Sequence, residues 1–340
     1  MFFLTSLVVI GTGSGSLFAQ PANRAVQSDT SGMERYVKKM IVNAKWGKGP
    51  GEFQILKGGS LGGMVIDNKG NIYIPQLDFK SCILKRFDKE GRYIGETPGL
   101  GYGHYGIDDE GNVYEANTVS SAKTKDSLGM KLVNKYSPQG KYLKSYRIYA
   151  DLGMEPHVEL SMFPKIKKGE IILEGDGREV AIGTTGRAYN GTMQVIRKNR
   201  RYEKGGFIKE NGRCWLEVLR VDDKRHLKIK VPERVCSSLG EENEDLFFEV
   251  TNQLDKWGNG FLLIMLPGKK PDSPIFEGSE FWNFSPEGNL LARIPVGSGS
   301  LDSLYLWGST QFHVFDEESN YYELRAEVQG VQVIKYEKVK

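Results

Sequence analysis

Short apolar strands separated by glycine-containing turns recur along most of this chain. The clearest unit begins at Gly62, where an apolar run reaches Asp67, turns at Asn68-Lys69-Gly70 and returns as Asn71-Ile72-Tyr73-Ile74. A second strand pair follows across the turn Asp88-Lys89-Glu90-Gly91. Glycine supplies the positive φ of a tight hairpin, and Asp and Asn side chains bond to their own backbone. Four strands with two such turns predict one antiparallel sheet of the size of a propeller blade.

Similar units recur at intervals of about 40 to 60 residues, which is the period of propeller blades. Glycine turns of the same kind begin at Asp108, Ser137, Asp255 and Ser285. Five of the blades are predicted to begin near Gly62, His104, Phe163, Phe248 and Leu304, and one more, the fourth along the chain, lies between Phe163 and Phe248. Only the second half of that blade is clear, from Trp215 to Val231, because residues 193–213 show no turn motif. The spacing predicts six blades; five blades with a large insertion is the alternative.

The two ends of the repeating region complement each other. The last blade stops after its third strand, whereas the chain begins with a predicted strand over residues 34–43 that has no sequence neighbour to pair with. Pairing these two strands removes the exposed sheet edges that both would otherwise present. We therefore predict an all-β fold, a six-bladed β-propeller of four-stranded antiparallel blades. In this fold the N-terminal strand completes the C-terminal blade and closes the ring, within one domain over residues 34–340.

One segment carries a family resemblance. The sequence Trp46-Gly47-Lys48-Gly49-Pro50-Gly51-Glu52-Phe53 resembles the G-x-G-P-G-E-F segment that precedes a blade in NHL-repeat propellers. In that family the second strand ends in Asp and an Arg opens the third strand. Here Gln76 stands near the Asp position, and Ile83 and Leu132 occupy the Arg positions. The resemblance implies an NHL-like six-bladed architecture and no particular function.

Composition agrees with a β-rich, exported protein. The chain has 340 residues with 41 Gly, 13 Pro, 16 Tyr and 16 Phe, which favours short strands and turns. A net charge of +3 is too small to imply a nucleic-acid partner. Residues 1–19 are uncharged, are apolar from Phe2 to Ile10 and end at Ala19, as in a signal peptide, and the apolar run is too short and the segment too Gly-rich for a membrane span. Residues 20–33 are predicted to be a disordered linker. We expect a periplasmic or secreted monomer.

Three cysteines leave two interpretations open. Cys82, Cys214 and Cys236 lack the C-x-x-C spacing of metal sites. In an exported protein Cys214 and Cys236 can form a disulfide within one blade. Free, buried thiols on strands are the alternative.

Two histidines are the predicted metal ligands. His104 lies at the start of the second blade and His157 upstream of the third, so both would project towards the central channel and could bind zinc. The alternative is that both are channel-wall residues bonded to their neighbours. The aspartates Asp67, Asp108, Asp109 and Asp255 could suggest a calcium site, but they occupy equivalent turns in different blades. We interpret them as turn caps.

A basic segment is the predicted ligand-binding region. Residues 161–236 hold 18 Lys/Arg against 10 Asp/Glu, and the predicted contacts are Arg197, Lys198, Arg200 and Arg201. For an exported protein the anion would be a glycan or a membrane surface; solvated outer strands that balance the acidic residues 241–245 are the alternative.

Trp257 and Trp307 each precede the Gly of a predicted first turn, where a ring either stacks on a sugar or packs between blades.

Two functional hypotheses follow. The sequence shows no Gly-rich loop opening a helix, no G-x-S-x-G and no H-E-x-x-H motif. The first hypothesis is an exported non-enzymatic propeller, without a cofactor, that binds a protein, peptide or glycan through one loop face. The alternative is a metal-dependent lyase or hydrolase with zinc or calcium at the mouth of the central channel, held by His104 and His157.

Overall fold

A computed structural model describes most of the chain after the N-terminal segment. The described residues are 35–54, 60–77, 81–119, 130–149, 164–167, 170–175, 178–183, 194–198, 202–220, 223–238, 248–265, 279–295, 313–316, 318–327 and 329–339. Within them the chain forms 24 β-strands and one short helix, arranged in six antiparallel sheets. The predicted all-β class is confirmed. None of the described helices is long and apolar enough to cross a membrane.

The first two sheets match the predicted first and second blades. The first contains β2 (Ser60–Leu61), β3 (Val65–Ile66), β4 (Ile72–Leu77), β5 (Cys82–Phe87) and β6 (Tyr93–Leu100). The second contains β7 (His104–Ile107), β8 (Val113–Val119), β9 (Met130–Tyr136) and β10 (Tyr142–Tyr149). The second sheet keeps the sequence order of its strands, whereas in the first sheet β2 and β3 both pair with β4, and the predicted glycine turns join β3 to β4, β5 to β6, β7 to β8 and β9 to β10 directly.

The third and fourth sheets occupy the region with the weakest sequence pattern. The third contains β11 (Lys165–Lys167), β12 (Glu170–Gly175), β13 (Arg178–Gly183) and β14 (Gln194–Lys198). The fourth contains β15 (Tyr202–Glu210), β16 (Arg213–Arg220) and β17 (Arg225–Lys230), and is followed by α1 (Glu233–Ser238). The interpretation that residues 193–213 contain no turn motif is wrong. Asn211 and Gly212 join β15 to β16, and both have the positive φ of a two-residue hairpin, 51° and 73°.

The N-terminal strand belongs to the last sheet. The fifth sheet contains β18 (Phe248–Leu254), β19 (Gly260–Met265), β20 (Ser279–Phe284) and β21 (Leu290–Pro295). The sixth contains β22 (His313–Phe315), β23 (Tyr321–Glu327), β24 (Gly330–Lys338) and β1 (Tyr36–Lys45). β1 pairs with β24 from the Tyr36–Lys338 pair to the Lys45–Gly330 pair. The N-terminal strand thus completes the C-terminal sheet, while a closed ring of six blades stays a prediction.

The turn between β22 and β23 was missed in the sequence because it lacks glycine. Asp316 opens this turn and Ser319 occupies the glycine position with a φ of 63°. The expected first turn of the last blade, at Trp307-Gly308, lies outside the described residues. Serine in this backbone region is uncommon, so a search for Asp-x-x-Gly does not find the turn.

The hydrophobic core lies in layers between neighbouring sheets. Val42 and Val333 of the sixth sheet pack with Ile74 of the first. Three further buried clusters join the first sheet to the second, the fourth to the fifth, and the fifth to the sixth. Sheet-on-sheet layers of this kind are typical of propellers, because each blade buries both of its faces.

A recurring contact shows which position β1 occupies. The last turn of the first sheet places Gly91 against the carbonyl oxygen of Ile41 in β1. The last turn of the second sheet places Gly140 against Pro98 in β6, and that of the fifth sheet places Gly288 against Leu227 in β17. β6 and β17 are the outermost strands of their sheets. β1, an edge strand of the sixth sheet, therefore contacts the last turn of the first sheet in the way that β6 and β17 contact the last turns of two other sheets.

One pair of cysteines is oxidised. Cys214 on β16 and Cys236 on α1 form a disulfide, which is the first of the two alternatives for these residues. The bond links α1 to the start of β16, directly after the Asn211-Gly212 turn. Cys82 is reduced and buried on β5.

Candidate functional site

The predicted site residues do not form one described cluster. His104 is half-buried at the first position of β7, where its backbone faces Ala116 of β8. Arg197 and Lys198 lie at the end of β14. Three predicted residues lie outside the described part of the chain: His157, Arg200 and Arg201. Within the described residues, no group of three His, Cys, Asp or Glu side chains is placed to hold a metal ion.

Three of the four predicted turn aspartates cap their own turns, whereas Oδ1 of Asp109 accepts a hydrogen bond from Asn68 of the first sheet. In the first sheet Oδ1 of Asp67 accepts hydrogen bonds from the backbone N–H groups of Lys69 (2.9 Å) and Asn71 (2.8 Å). Its Oδ2 accepts from Asn71 Nδ2 (2.8 Å) and from the Tyr73 hydroxyl (3.1 Å). The same bonds from the backbone and the Asn side chain recur at Asp108, Asp255 and Asp316. Both oxygens are occupied by local donors, as the turn-cap interpretation predicts.

A buried cluster of acid, base and phenol side chains lies between the fifth and sixth sheets. His313 on β22 stands opposite Glu323 on β23, and Tyr321 on β23 stands opposite Tyr336 on β24. Alternate residues of antiparallel strands share one face of a sheet, so these four side chains point the same way. That face packs on Phe281 of the fifth sheet, whose ring lies 5.3 Å from the His313 ring.

Hydrogen bonds connect most of this cluster. Nδ1 of His313 and the hydroxyl of Tyr321 share a hydrogen bond of 2.5 Å. The Tyr336 hydroxyl (3.2 Å) and Nη2 of Arg325 (2.8 Å) both donate to Oε2 of Glu323, which is only 1% exposed. Nε of Arg325 is buried without a hydrogen-bond partner among the described residues. The carboxylate is therefore held by a phenol and a guanidinium, away from solvent.

Burial sets the charges of the cluster. It lowers the pKa of His313 to about 3, and the nearby Arg325 guanidinium acts in the same direction, so the imidazole is neutral at neutral pH. Burial raises the pKa of Glu323, although the bonds from Arg325 and Tyr336 oppose this shift. On β1, burial lowers the pKa of Lys38, whose ammonium lies 5.8 Å from the Tyr336 ring centroid. A neutral imidazole and a carboxylate with a raised pKa are components of acid–base chemistry, but here they are enclosed between two sheets.

The second sheet repeats part of this arrangement. Glu115 follows Asp108 by seven positions, as Glu323 follows Asp316, and it is likewise 1% exposed. Tyr136 occupies the position in the second sheet that Tyr336 occupies in the sixth. Burial and the Glu115 carboxylate raise the pKa of Tyr136 to about 12. The first and fifth sheets carry apolar residues in place of the glutamates, Ile74 and Leu262. A buried Glu–Tyr pair therefore joins the second and third strands of two sheets, and the Asp-to-Glu spacing is the sequence signal that was missed.

The described part of the basic segment exposes a row of basic side chains along its last strand. In β17 the residues Leu227 and Ile229 are buried, whereas His226, Lys228 and Lys230 alternate with them on the exposed side. Nδ1 of His226 lies 3.3 Å from the carboxylate of Glu217. This alternation shows that the fourth sheet buries one face of its outer strand and presents the other as a basic surface.

Two large aromatic side chains are exposed at opposite ends of their sheets. Tyr102 is 47% exposed in the short connection between β6 and β7, directly before Gly103 and His104. Trp257 is 50% exposed in the turn between β18 and β19. The Trp257 ring is half-exposed and also contacts Lys338 of the sixth sheet, so both alternatives for it, stacking on a sugar and packing between blades, stay open. Trp307 lies outside the described residues.

The comparisons with known proteins give a likeness of fold alone. No protein-family model matches the sequence, and no curated protein matches it. A member of the DUF4221 family from Bacteroides vulgatus has a TM-score of 0.45 and 13% identity, over 91% of this chain and 100% of that one. A protein from Lactobacillus plantarum has a TM-score of 0.34 and 11% identity, over 94% of each chain. A catalytically inactive virginiamycin B lyase from Staphylococcus aureus, solved with quinupristin, has a TM-score of 0.32 and 10% identity, over 89% of this chain and 88% of that one.

These similar structures are β-propeller-like folds, and they include both enzymes and binding domains. At such identities and scores the likeness carries no assignment of activity. Within its described residues the chain is an all-β protein of several antiparallel sheets.

Proposed function

We propose that this chain is an exported, non-enzymatic, six-bladed β-propeller that binds a protein, peptide or glycan partner through one loop face. The six sheets are its blades, and β1 closes the ring as the outermost strand of the last blade. Two observations support the closure: Val42 and Val333 share a buried cluster with Ile74 of the first sheet, and Gly91 packs on Ile41. Closure pairs β1 with β24 and leaves only the short edges that every propeller blade keeps.

The two ends of the sheets differ in what they offer a partner. At one end, the carboxylates of Asp67, Asp108 and Asp316 are saturated by hydrogen bonds within their turns. At the other end, the chain passes from sheet to sheet, and the described connection Gly101-Tyr102-Gly103 exposes an aromatic ring next to His104. Exposed aromatic side chains on short loops between rigid elements are typical of binding surfaces. The exposed ring of Tyr102 is the observation that carries the loop-face proposal.

The basic segment supplies charge to the same partner in this proposal. Arg197, Lys198, Arg200 and Arg201 would bind carboxylate, sulfate or phosphate groups of an anionic partner. The exposed Lys228 and Lys230 of β17 extend the basic surface along the fourth sheet. Binding would then weaken steeply as the salt concentration rises.

A matched pair of tyrosine variants tests the loop face. Tyr142 on β10 is 54% exposed and lies on an outer strand, so it is a control for Tyr102. Mature protein with Tyr102→Ala, Tyr142→Ala or neither change is compared for binding to an array of glycans and envelope-derived peptides. We expect Tyr102→Ala to lower the affinity for at least one bound partner about tenfold or more, and Tyr142→Ala to leave the affinity for that partner unchanged. Equal binding by both variants would refute the loop-face assignment.

A further inference from the structure

Trp257 stands at a turn position that does not require an aromatic residue. It is the third residue of the turn that begins at Asp255, and the equivalent residues in three other sheets are Lys69, Glu110 and Glu318. In all four turns the backbone N–H of this residue donates a hydrogen bond to the turn aspartate. The bond is 2.9 Å long for Lys69, Trp257 and Glu318 and 3.0 Å long for Glu110. The four turns share this main-chain bond, and the side chain at this position is charged in the three other turns.

Two ammonium groups surround the exposed indole. Nζ of Lys256 lies 4.6 Å from the ring centroid of Trp257, and Nζ of Lys338 lies 5.1 Å from it. Lys256 also forms an ion pair with Glu318 of the neighbouring turn. The backbone of Lys338 is fixed, because its N–H donates to Oδ1 of Asn320 at 3.0 Å. The surface thus combines a half-exposed flat ring, two cations and one carboxylate at the junction of the fifth and sixth sheets.

This combination of side chains favours one class of ligand. An indole face is apolar and electron-rich, so it attracts the two ammonium groups that lie over it and can also stack on the C–H face of a pyranose ring, and the same ammonium groups attract a carboxylate. We infer that Trp257, Lys256 and Lys338 bind an acidic saccharide, a chain that contains uronic acid units. An acidic peptide would satisfy the ammonium groups but would offer no flat C–H face to the indole. This site is separate from the loop face that carries Tyr102.

Calorimetric titration of the mature full-length protein with oligogalacturonate tests this inference. The informative variant is Trp257→Lys, which installs the residue found at the equivalent position in the first sheet and adds a positive charge. We expect it to lower the affinity about tenfold or more despite the added charge, because stacking is lost. Tyr142→Lys, which makes the same change at another exposed ring, is expected to leave the affinity unchanged. Unaltered circular dichroism and unfolding temperature would show that Trp257→Lys folds normally, as its backbone bond predicts.

The contribution of charge is measured separately. Lys338→Gln is expected to weaken binding about threefold to tenfold and to reduce its salt dependence, and the methyl-esterified oligosaccharide should bind about tenfold more weakly than the acid. Three results would overturn the inference. They are equal binding of the esterified and acidic forms, no measurable binding of oligogalacturonate at millimolar concentration, and Trp257-dependent binding of polyglutamate as tight as that of the saccharide. Loss of the loop-face partner in Tyr102→Ala would not alter any of these outcomes.

Discussion

The contact between the first sheet and β1 can be tested by adding one methyl group. Gly91 has a φ of 82°, and a Cβ at this position would overlap the carbonyl oxygen of Ile41. The left-handed conformation costs an alanine about 1–2 kcal/mol, and relieving an overlap with rigid backbone costs about 1–3 kcal/mol more. We therefore expect Gly91→Ala to lower the free energy of unfolding by roughly 2–5 kcal/mol, a large part of the stability of a typical domain.

A second glycine of the same sheet separates the two contributions. Gly99 on β6 has a φ of 75°, and no heavy atom lies within 4 Å of a Cβ built on it. Gly99→Ala thus carries the conformational cost alone. The assay is urea unfolding followed by circular dichroism, with the free energy obtained by linear extrapolation for the wild type and both variants. We expect Gly91→Ala to be less stable than Gly99→Ala by about 1–3 kcal/mol. Equal losses in the two variants would show that β1 does not pack beneath the Gly91 turn and would remove the main support for ring closure.

Four further predictions follow from features of the same structure. Deleting residues 36–45 should destabilise the whole fold, and an unchanged unfolding temperature would contradict the closure of the ring by β1. Replacing Cys214 and Cys236 together by Ser should lower the free energy of unfolding by about 3 kcal/mol, since the bond closes a loop with a sequence separation of 22; an unchanged urea midpoint would refute this. The pKa of His313 in the folded state, about 3, lies below its value of 6.5 in the unfolded state. Between these two values the unfolded state binds more protons than the folded state, so the free energy of unfolding falls as the pH is lowered through this range. His313→Gln should flatten this part of the stability profile, by on the order of 1 kcal/mol per pH unit, and a profile identical to the wild type would show that His313 does not titrate in this way. For the binding-protein proposal, elemental analysis should find no stoichiometric zinc or calcium; zinc that is lost in His104→Ala would instead favour the metal-dependent lyase or hydrolase.

The turns were predictable because their chemistry is local. Asp67 bonds to groups two, four and six residues ahead, so the residues that define its turn stand together in the sequence. The pairing of β1 with β24 was also predictable, because a last blade with three strands leaves one strand to be supplied. The Asp316 turn escaped notice because Ser319 replaces glycine, and the Asn211-Gly212 hairpin was overlooked although its dipeptide is a strong turn signal.

The side chains between the sheets could not be derived from the sequence in this way. Glu323 and His313 meet because two strands have a particular register, and that register is set by packing across the whole sheet. The exposure of Trp257 likewise depends on how two neighbouring sheets approach each other. Sequence reasoning placed it correctly beside a turn glycine but could not decide between burial and exposure. Residue spacing within a strand defines a face, whereas the partner of that face is a property of the assembled sheets.

The position of β1 also has consequences for the timing of folding. β1 is synthesised before the other described strands, yet its partner β24 is the last of them to be made, so their pairing spans nearly the whole chain. Pairing between such distant segments is slow to form, because the entropy of closing a long loop is lost before any contact is gained. Until β24 is available, Ile41 and Val42 have no sheet to cover and remain exposed apolar side chains. A chain interrupted before residue 330 would therefore keep an unpaired, apolar N-terminal strand, a feature that favours aggregation or recognition by chaperones.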